Sequence, residues 1–367
     1  MLLILRAACL LALVGGWLAR GTHAQQPSLR QPEDVSRLTV SPGDIKAGVR
    51  PDYNALLEQL EVLPVQGSVY LLGGGGANVA VLVGDDGVLL VDSGAEAASD
   101  RIISELRKLS PDVLRWIINT SADMDHTGGN AKVAKAGEGP QPDNGARGTG
   151  FNGFSAAIIS FENVLNRMSA PVGQTASRDV DAWPTDTFFT SKKSIWFDGE
   201  PIEILHQSAA HADGDVMVFF RRSDVIAAGD ILTTDRYPFF DAQKGGSIQG
   251  LIDGLNRIID IAIPRFNQQG GTRIIPGHGR ICNESDVVEY RDMATIVRDR
   301  IQALAKSGMT LEQVKAAHPT LDYDGIYGAA TGSWTTDMFI EAVYKEVMKS
   351  SVSPTGSKAR AKTPVKK

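Results

Sequence analysis

The chain is 367 residues long, 43% hydrophobic and 22% charged, which supports a large buried core and excludes disordered or fibrous architecture as its main form. Its net charge of -6, with basic residues scattered until the last stretch, argues against a nucleic-acid partner. Only two cysteines occur, Cys9 and Cys282, so no dense disulfide framework is available to hold the fold.

Residues 1–24 combine an early Arg6, an apolar run to Leu18 and the small-x-Ala pattern Thr22-His23-Ala24, as in a secretory signal peptide cleaved after Ala24. A membrane anchor is the competing reading. The run is interrupted at Arg6 and Arg20 and is shorter than the ~20 residues of a spanning helix, so no stable span is expected after cleavage. The expected location is periplasmic or secreted. Cys9 would leave with the signal, and Cys282, with no Cys-rich spacing around it, reads as a packed thiol.

Residues 25–66 read as a leader with a short helix over 53–60. Short apolar runs at 69–72, 79–83 and 88–91, split by Gly-rich or Asp-Asp-Gly turns, predict strands and hairpins. Helical spacing follows over 95–109, then a strand at 114–118. The Gly-rich stretch 137–153 predicts a long loop and 154–168 a helix. Further strands are expected at 194–197, 202–205, 216–220 and 225–228, and helices at 248–261, 286–306, 311–318 and 336–348. The main domain is bounded at 67–285, with a helical extension over 286–349 packed on it. The Ser-, Pro- and Lys-rich tail 350–367 is expected to be disordered.

Four segments concentrate acids and imidazoles beside strand ends. They are Asp123, Asp125 and His126 after the strand at 114–118, His211 before the strand at 216–220, Asp230 after the strand at 225–228, and His278 in Pro276-Gly277-His278-Gly279. Strand ends are where α/β sites usually form, and the neighbouring glycines allow close backbone approach. Each segment alone is compatible with a hydrogen-bonded turn. Together they supply three imidazoles and three carboxylates, a donor mix suited to zinc, manganese or iron. A metal-free acid-base site is the competing reading, but carboxylates gathered without a cation would repel one another.

The order Asp-His, His, Asp, His resembles the metallo-β-lactamase superfamily, whose first motif is usually His-x-His-x-Asp-His. The surroundings match too: Asn119-Thr120, Thr127-Gly128-Gly129-Asn130, Ala210-His211-Ala212-Asp213-Gly214-Asp215, Gly229-Asp230 and Pro276-Gly277-His278-Gly279. The resemblance spans about residues 68–280 and implies an α/β fold, the αββα sandwich of two mixed β-sheets flanked by helices. It also implies two metal sites. Asp125, His126 and His278 match the second, and Asp230 matches the bridging carboxylate. In the first, His211 is kept, but Ser121 and Asp123 stand where the family has its two leading histidines.

The resemblance therefore implies one or two zinc ions, with the altered, more anionic half suiting manganese or iron relatively better. The expected function is hydrolysis of a small-molecule amide, lactam, ester or thioester by metal-bound hydroxide at Asp125, His126 and His278, with Asp125 taken as catalytic. Supporting roles are expected for Ser121, Thr127, Asn130 and Asp215, the last orienting His211. Tyr237, Phe239 and Phe240 are expected to wall the substrate pocket. Two alternatives remain: a metal- or ligand-binding protein that has lost catalysis, and an iron-dependent oxidoreductase. The sequence does not specify oligomeric state.

Overall fold

A computed structural model describes residues 60–139, 155–169, 174–264 and 270–352. The signal, most of the leader with its expected helix, most of the glycine-rich loop and nearly all of the tail lie outside these residues. Seven strands form one sheet in the order β1 (Glu61–Gln66), β2 (Val69–Gly73), β3 (Val79–Gly84), β4 (Gly87–Val91), β5 (Leu114–Ile118), β6 (Ala157–Phe161), β7 (Asp186–Phe188). The first four pair antiparallel and the last three join in parallel. The second sheet runs β12 (Arg273–His278), β11 (Val225–Thr233), β10 (Val216–Phe220), β9 (Glu200–His206), β8 (Lys192–Phe197), antiparallel except where β12 joins β11.

Three apolar layers follow from side-chain alternation along these strands. Leu71, Ala80, Leu89 and Ile118 from the first sheet meet Ile204, Val218, Phe220 and Ala227 from the second. The neighbouring residues Leu72, Val81, Leu90 and Ile117 point the other way, onto helices α1 (Ser99–Leu109) and α3 (Asn130–Lys135). Short helix α2 (Met124–Thr127) lies between them in sequence. Strands buried on both faces read as continuous apolar runs, as these do. The outer face of the second sheet contributes Leu205, Met217, Ile226 and Ile274 to a layer shared with Leu255, Val297, Val314 and Phe339. The protein is an αββα sandwich.

Residues 154–168 do not form one helix. Ala157–Phe161 is a strand inserted between β5 and β7, and only Glu162–Met168 is helical, as α4. A short apolar run such as Ile158-Ile159 has no periodicity to separate strand from helix, and two parallel partners decided it. Strand β11 also reaches further than expected, to Thr233, so Asp230 lies within it at a register irregularity. At the front, Glu61–Gln66 pairs with β2 inside the stretch read as leader.

On the second sheet's outer face pack α5 (Ile248–Ile261), α6 (Glu284–Lys306), α7 (Leu311–Ala316) and, after the single turn α8 (Asp324–Tyr327), α9 (Thr336–Val352). Helix α6 begins with a reciprocal capping box between Asn283 and Asp286, which satisfies its first backbone amides. Cys282 is buried beside β12, its thiol donating to the Ile274 carbonyl, and burial pushes its pKa up to about 12. That environment keeps it an unreactive thiol. Among the described residues, no helix is long and apolar enough to cross a membrane.

Candidate metal centre

Strands β4, β5, β11 and β12 and the segment before β10 end at one edge of the sandwich, and the acids and imidazoles meet there. Ligand-type atoms of Asp125, His126 and His278 lie within 4.8 Å of one another, and so do those of Asp123, His211 and Asp230. Asp230 links the two groups: its carboxylate oxygens are 3.2 Å from His126 Nε2 and 3.6 Å from His278 Nε2. Asp125 Oδ2 is 3.1 Å from His278 Nε2, and Asp123 Oδ2 is 3.3 Å from His211 Nε2. Gly277 makes this crowding feasible, because a Cβ there would collide with the Asp230 carboxylate.

Support for His126 comes from a residue the motif reading missed. Asp92 Oδ2 lies 2.7 Å from His126 Nδ1, and the same carboxylate accepts from the Thr120 amide and hydroxyl at 2.8 and 2.6 Å. Asp92 has φ 65°, an uncommon backbone conformation for a non-glycine residue, at the end of a fully buried strand. The available signal was Asp92-Ser93-Gly94 closing an apolar strand, the same arrangement that drew attention to the other acids. His211 is supported differently: Asp215 Oδ1 stands 3.6 Å from its Nδ1, while Asp215 Oδ2 accepts from the Ala212 amide at 2.7 Å.

The other expected residues divide. Ser121 is buried and its hydroxyl accepts from the Asp123 amide at 3.3 Å. Thr127 donates to the Asp123 carbonyl, and Asn130 ties Asn119, Ser93 and the Ala182 carbonyl together, so both fix the turn that carries Asp123, Asp125 and His126. Of the three aromatics expected to wall a pocket, only Phe239 approaches the cluster, its ring 5.2 Å from that of His211 and edge-on to Trp334. Tyr237 and Phe240 are core residues instead. The Tyr237 ring stacks on Phe339, and its hydroxyl donates to the Asp324 carboxylate and the Thr320 carbonyl, which gives a buried phenol its polar partners.

A second missed residue is Lys244. Its Nζ is 2.9 Å from Asp123 Oδ1 and 3.3 Å from Asp241 Oδ2, which brings an ammonium onto the outer side of the Asp123 and His211 group. The Gly245-Gly246 turn beside it was the only local signal.

Electrostatics tie the cluster together. Burial opposes charge on His126, yet Asp230 and Asp92 outweigh it and hold the imidazole pKa well above its ordinary value. Burial likewise opposes charge on His211, and Asp123 and Asp215 reverse the shift upward. Asp230 resists burial through His126, His278 and His211 and sits well below the usual carboxylate range. Asp215 is pushed up, burial prevailing over its contact with His211.

These residues fit a divalent cation. His126 Nε2, His211 Nε2 and Asp230 Oδ1 are buried, point into the cluster and make no hydrogen bond. Buried polar atoms are rarely left that way, and mixed imidazole and carboxylate donors match zinc, manganese or iron.

Comparison with known proteins agrees with the geometry. The sequence profile of the metallo-beta-lactamase superfamily matches residues 72–278. Among solved structures, the chain is similar to a stereoselective inverting sec-alkylsulfatase from Pseudomonas sp., with TM-score 0.56 and 14% identity over 83% of this chain and 53% of that one. A double mutant of a sec-alkyl sulfatase gives TM-score 0.58 and 13% identity over 83% and 54%. A metallo-beta-lactamase from Pontibacter korlensis gives TM-score 0.48 and 14% identity over 65% and 99%. The chain thus spans about half the length of the alkylsulfatase chains it matches. No curated protein matches it by sequence.

Proposed function

From the premise that this chain belongs to the metallo-beta-lactamase superfamily, we propose that it is a metal-dependent hydrolase of a small molecule carrying an amide, lactam, ester or thioester bond. Asp125, His126 and His278 would hold the cation, shared with Asp230, and zinc is the first candidate ahead of manganese or iron. The observation that carries this reading is the convergence of Asp125, His126 and His278, far apart in sequence, whose ligand-type atoms lie within 4.8 Å of one another, with the buried His126 Nε2 making no hydrogen bond. When bound, such an ion acidifies a water toward a pKa of ~7 and polarises the bond under attack.

The chain's own residues prepare that chemistry. Asp92, held by Thr120, keeps the proton of neutral His126 on Nδ1 and aims Nε2 into the cluster. Asp230 supplies negative charge between two imidazoles, so the donor set is assembled before any ligand arrives. Phe239 and Trp334 form an apolar edge beside His211 against which an organic substrate can rest. Export with removal of residues 1–24, to a periplasmic or extracellular site, belongs to the same proposal.

Metal analysis of protein purified without added metal is expected to find zinc, manganese or iron near one equivalent. No metal, with no uptake on titration, would sink the reading. A hydrolysis panel of lactams, thioesters and phosphodiesters, extended to alkyl sulfate esters because of the alkylsulfatase likeness, is expected to reveal one activity that His278→Ala abolishes.

A further inference from the structure

The two acid and histidine groups are alike in composition, but among the described residues a lysine ammonium is paired with the Asp123 carboxylate of one of them. Lys244 Nζ occupies Asp123 Oδ1 at 2.9 Å and leaves only Oδ2 facing His211. The ion pairs of Asp125 and Asp230, by contrast, are with histidines. We propose that the Lys244 ammonium serves as the cation of the Asp123, His211 and Asp230 group, so that the protein binds one divalent ion, at Asp125, His126 and His278. This rests on the metal-dependent reading above and adds the number of ions to it.

The lysine is built into place by its backbone. The Asp241 amide donates to the His211 carbonyl at 2.8 Å, and the Lys244 amide donates to the Asp241 carbonyl at 3.0 Å. The Lys244 carbonyl accepts from the Asp213 amide at 3.0 Å and from Arg167 Nη2 at 2.8 Å. Gly246 lies so close to the His211 carbonyl that a Cβ there would collide with it, and Gly245 takes φ 84°, so the turn is shaped to lie on the His211 segment. Arg167 is itself matched by Asp213 at 2.8 Å, which leaves Asp123 and Asp241 to Lys244.

Two physical effects then disfavour a second divalent ion. One Asp123 oxygen is committed to the ammonium, so the carboxylate cannot chelate through both. A divalent ion on the remaining oxygen would also face a positive charge a few ångström away, at a half-buried site that solvent screens only in part. The position held by a histidine in the family's first motif is here an aspartate, Asp123, and a lysine can pair with an aspartate where it would be repelled by an imidazole bound to metal.

The test is zinc titration of metal-free full-length protein against a chromophoric chelator. The wild type is expected to take up one tight equivalent, Lys244→Met two, and Lys244→Arg, which keeps the charge, one. Removing the charge is expected to raise affinity for the second equivalent by about 100-fold, the scale of a like-charge contact at a partly screened site. Retention of the first equivalent shows that the variant is folded, and Lys244→Gln serves as a second neutral variant. The wild-type equivalent is expected to survive His211→Ala and vanish in His126→Ala. Two tight equivalents in the wild type, one in both neutral variants, or loss of the ion in His211→Ala would each overturn the proposal while leaving a metal-dependent enzyme. Zero equivalents in the wild type would overturn both.

Discussion

His126 and His211 are both buried imidazoles facing carboxylates, but their supports differ. Behind His126 stands Asp92 at 2.7 Å, itself gripped twice by Thr120. Behind His211 stands Asp215 at 3.6 Å, with its other oxygen spent on the Ala212 amide and its pKa raised by burial. Ahead of His126 lies Asp230, and ahead of His211 lies Asp123, already paired with Lys244. Similar donor lists therefore describe a preorganised imidazole on one side and a partly neutralised charge cluster on the other. Donor identity sets which ion is acceptable, whereas support and competing charge set whether it is held.

The sharpest way to break this contrast is to delete each imidazole. His126→Ala is expected to lower affinity for the tight metal by ~1000-fold or more, beyond the ~10–100-fold typical of supporting residues, while His211→Ala costs less than about 10-fold. Chelator competition reads both, and equal losses would erase the distinction. Next come the supports. Asp92→Asn is expected to weaken metal binding by ~10–100-fold and Asp215→Asn by less than about 10-fold, measured the same way.

Protons compete with metal for the same atoms, which gives a pH signature. In metal-free protein His126 and His211 have pKa values above the ordinary 6.5, so their contribution to stability is complete below 6.5 and disappears as pH rises through the folded values. Asp230 and Asp125 lie below the ordinary 3.8, so their contribution is complete above 3.8 and is lost as pH falls through the folded values. The metal-free melting temperature is thus expected to be highest between 3.8 and 6.5 and to decline toward pH 8. Added zinc displaces those protons, so its stabilising effect is expected to grow over the same rise. Thermal melts with chelator and with zinc check both slopes, and parallel curves would contradict the proton competition.

The smallest expected effect is that of Thr120→Val. It removes one donor to buried Asp92 and is expected to cost about 1–2 kcal/mol in chemical denaturation, with metal stoichiometry unchanged.

The order of acids and histidines along the chain, each beside an apolar strand, was readable without coordinates, because strand burial and turn glycines leave a strong one-dimensional pattern. So was the sandwich, through the family resemblance those motifs carry. Strand β6 was not, because Ile158-Ile159 becomes a strand only by lying between two parallel neighbours. Asp92 and Lys244 were not, because each acts on a residue far away in sequence, His126 or Asp123. Tyr237 and Phe240 mark the same limit from the other side: an aromatic beside a site can face the pocket or the core, and here Phe339 and Asp324 turned Tyr237 inward. Residue type and local spacing fix which chemistry is available and where strands end. Which charges face one another, and at what distance, depends on how the two sheets close, and only the tertiary structure decides that.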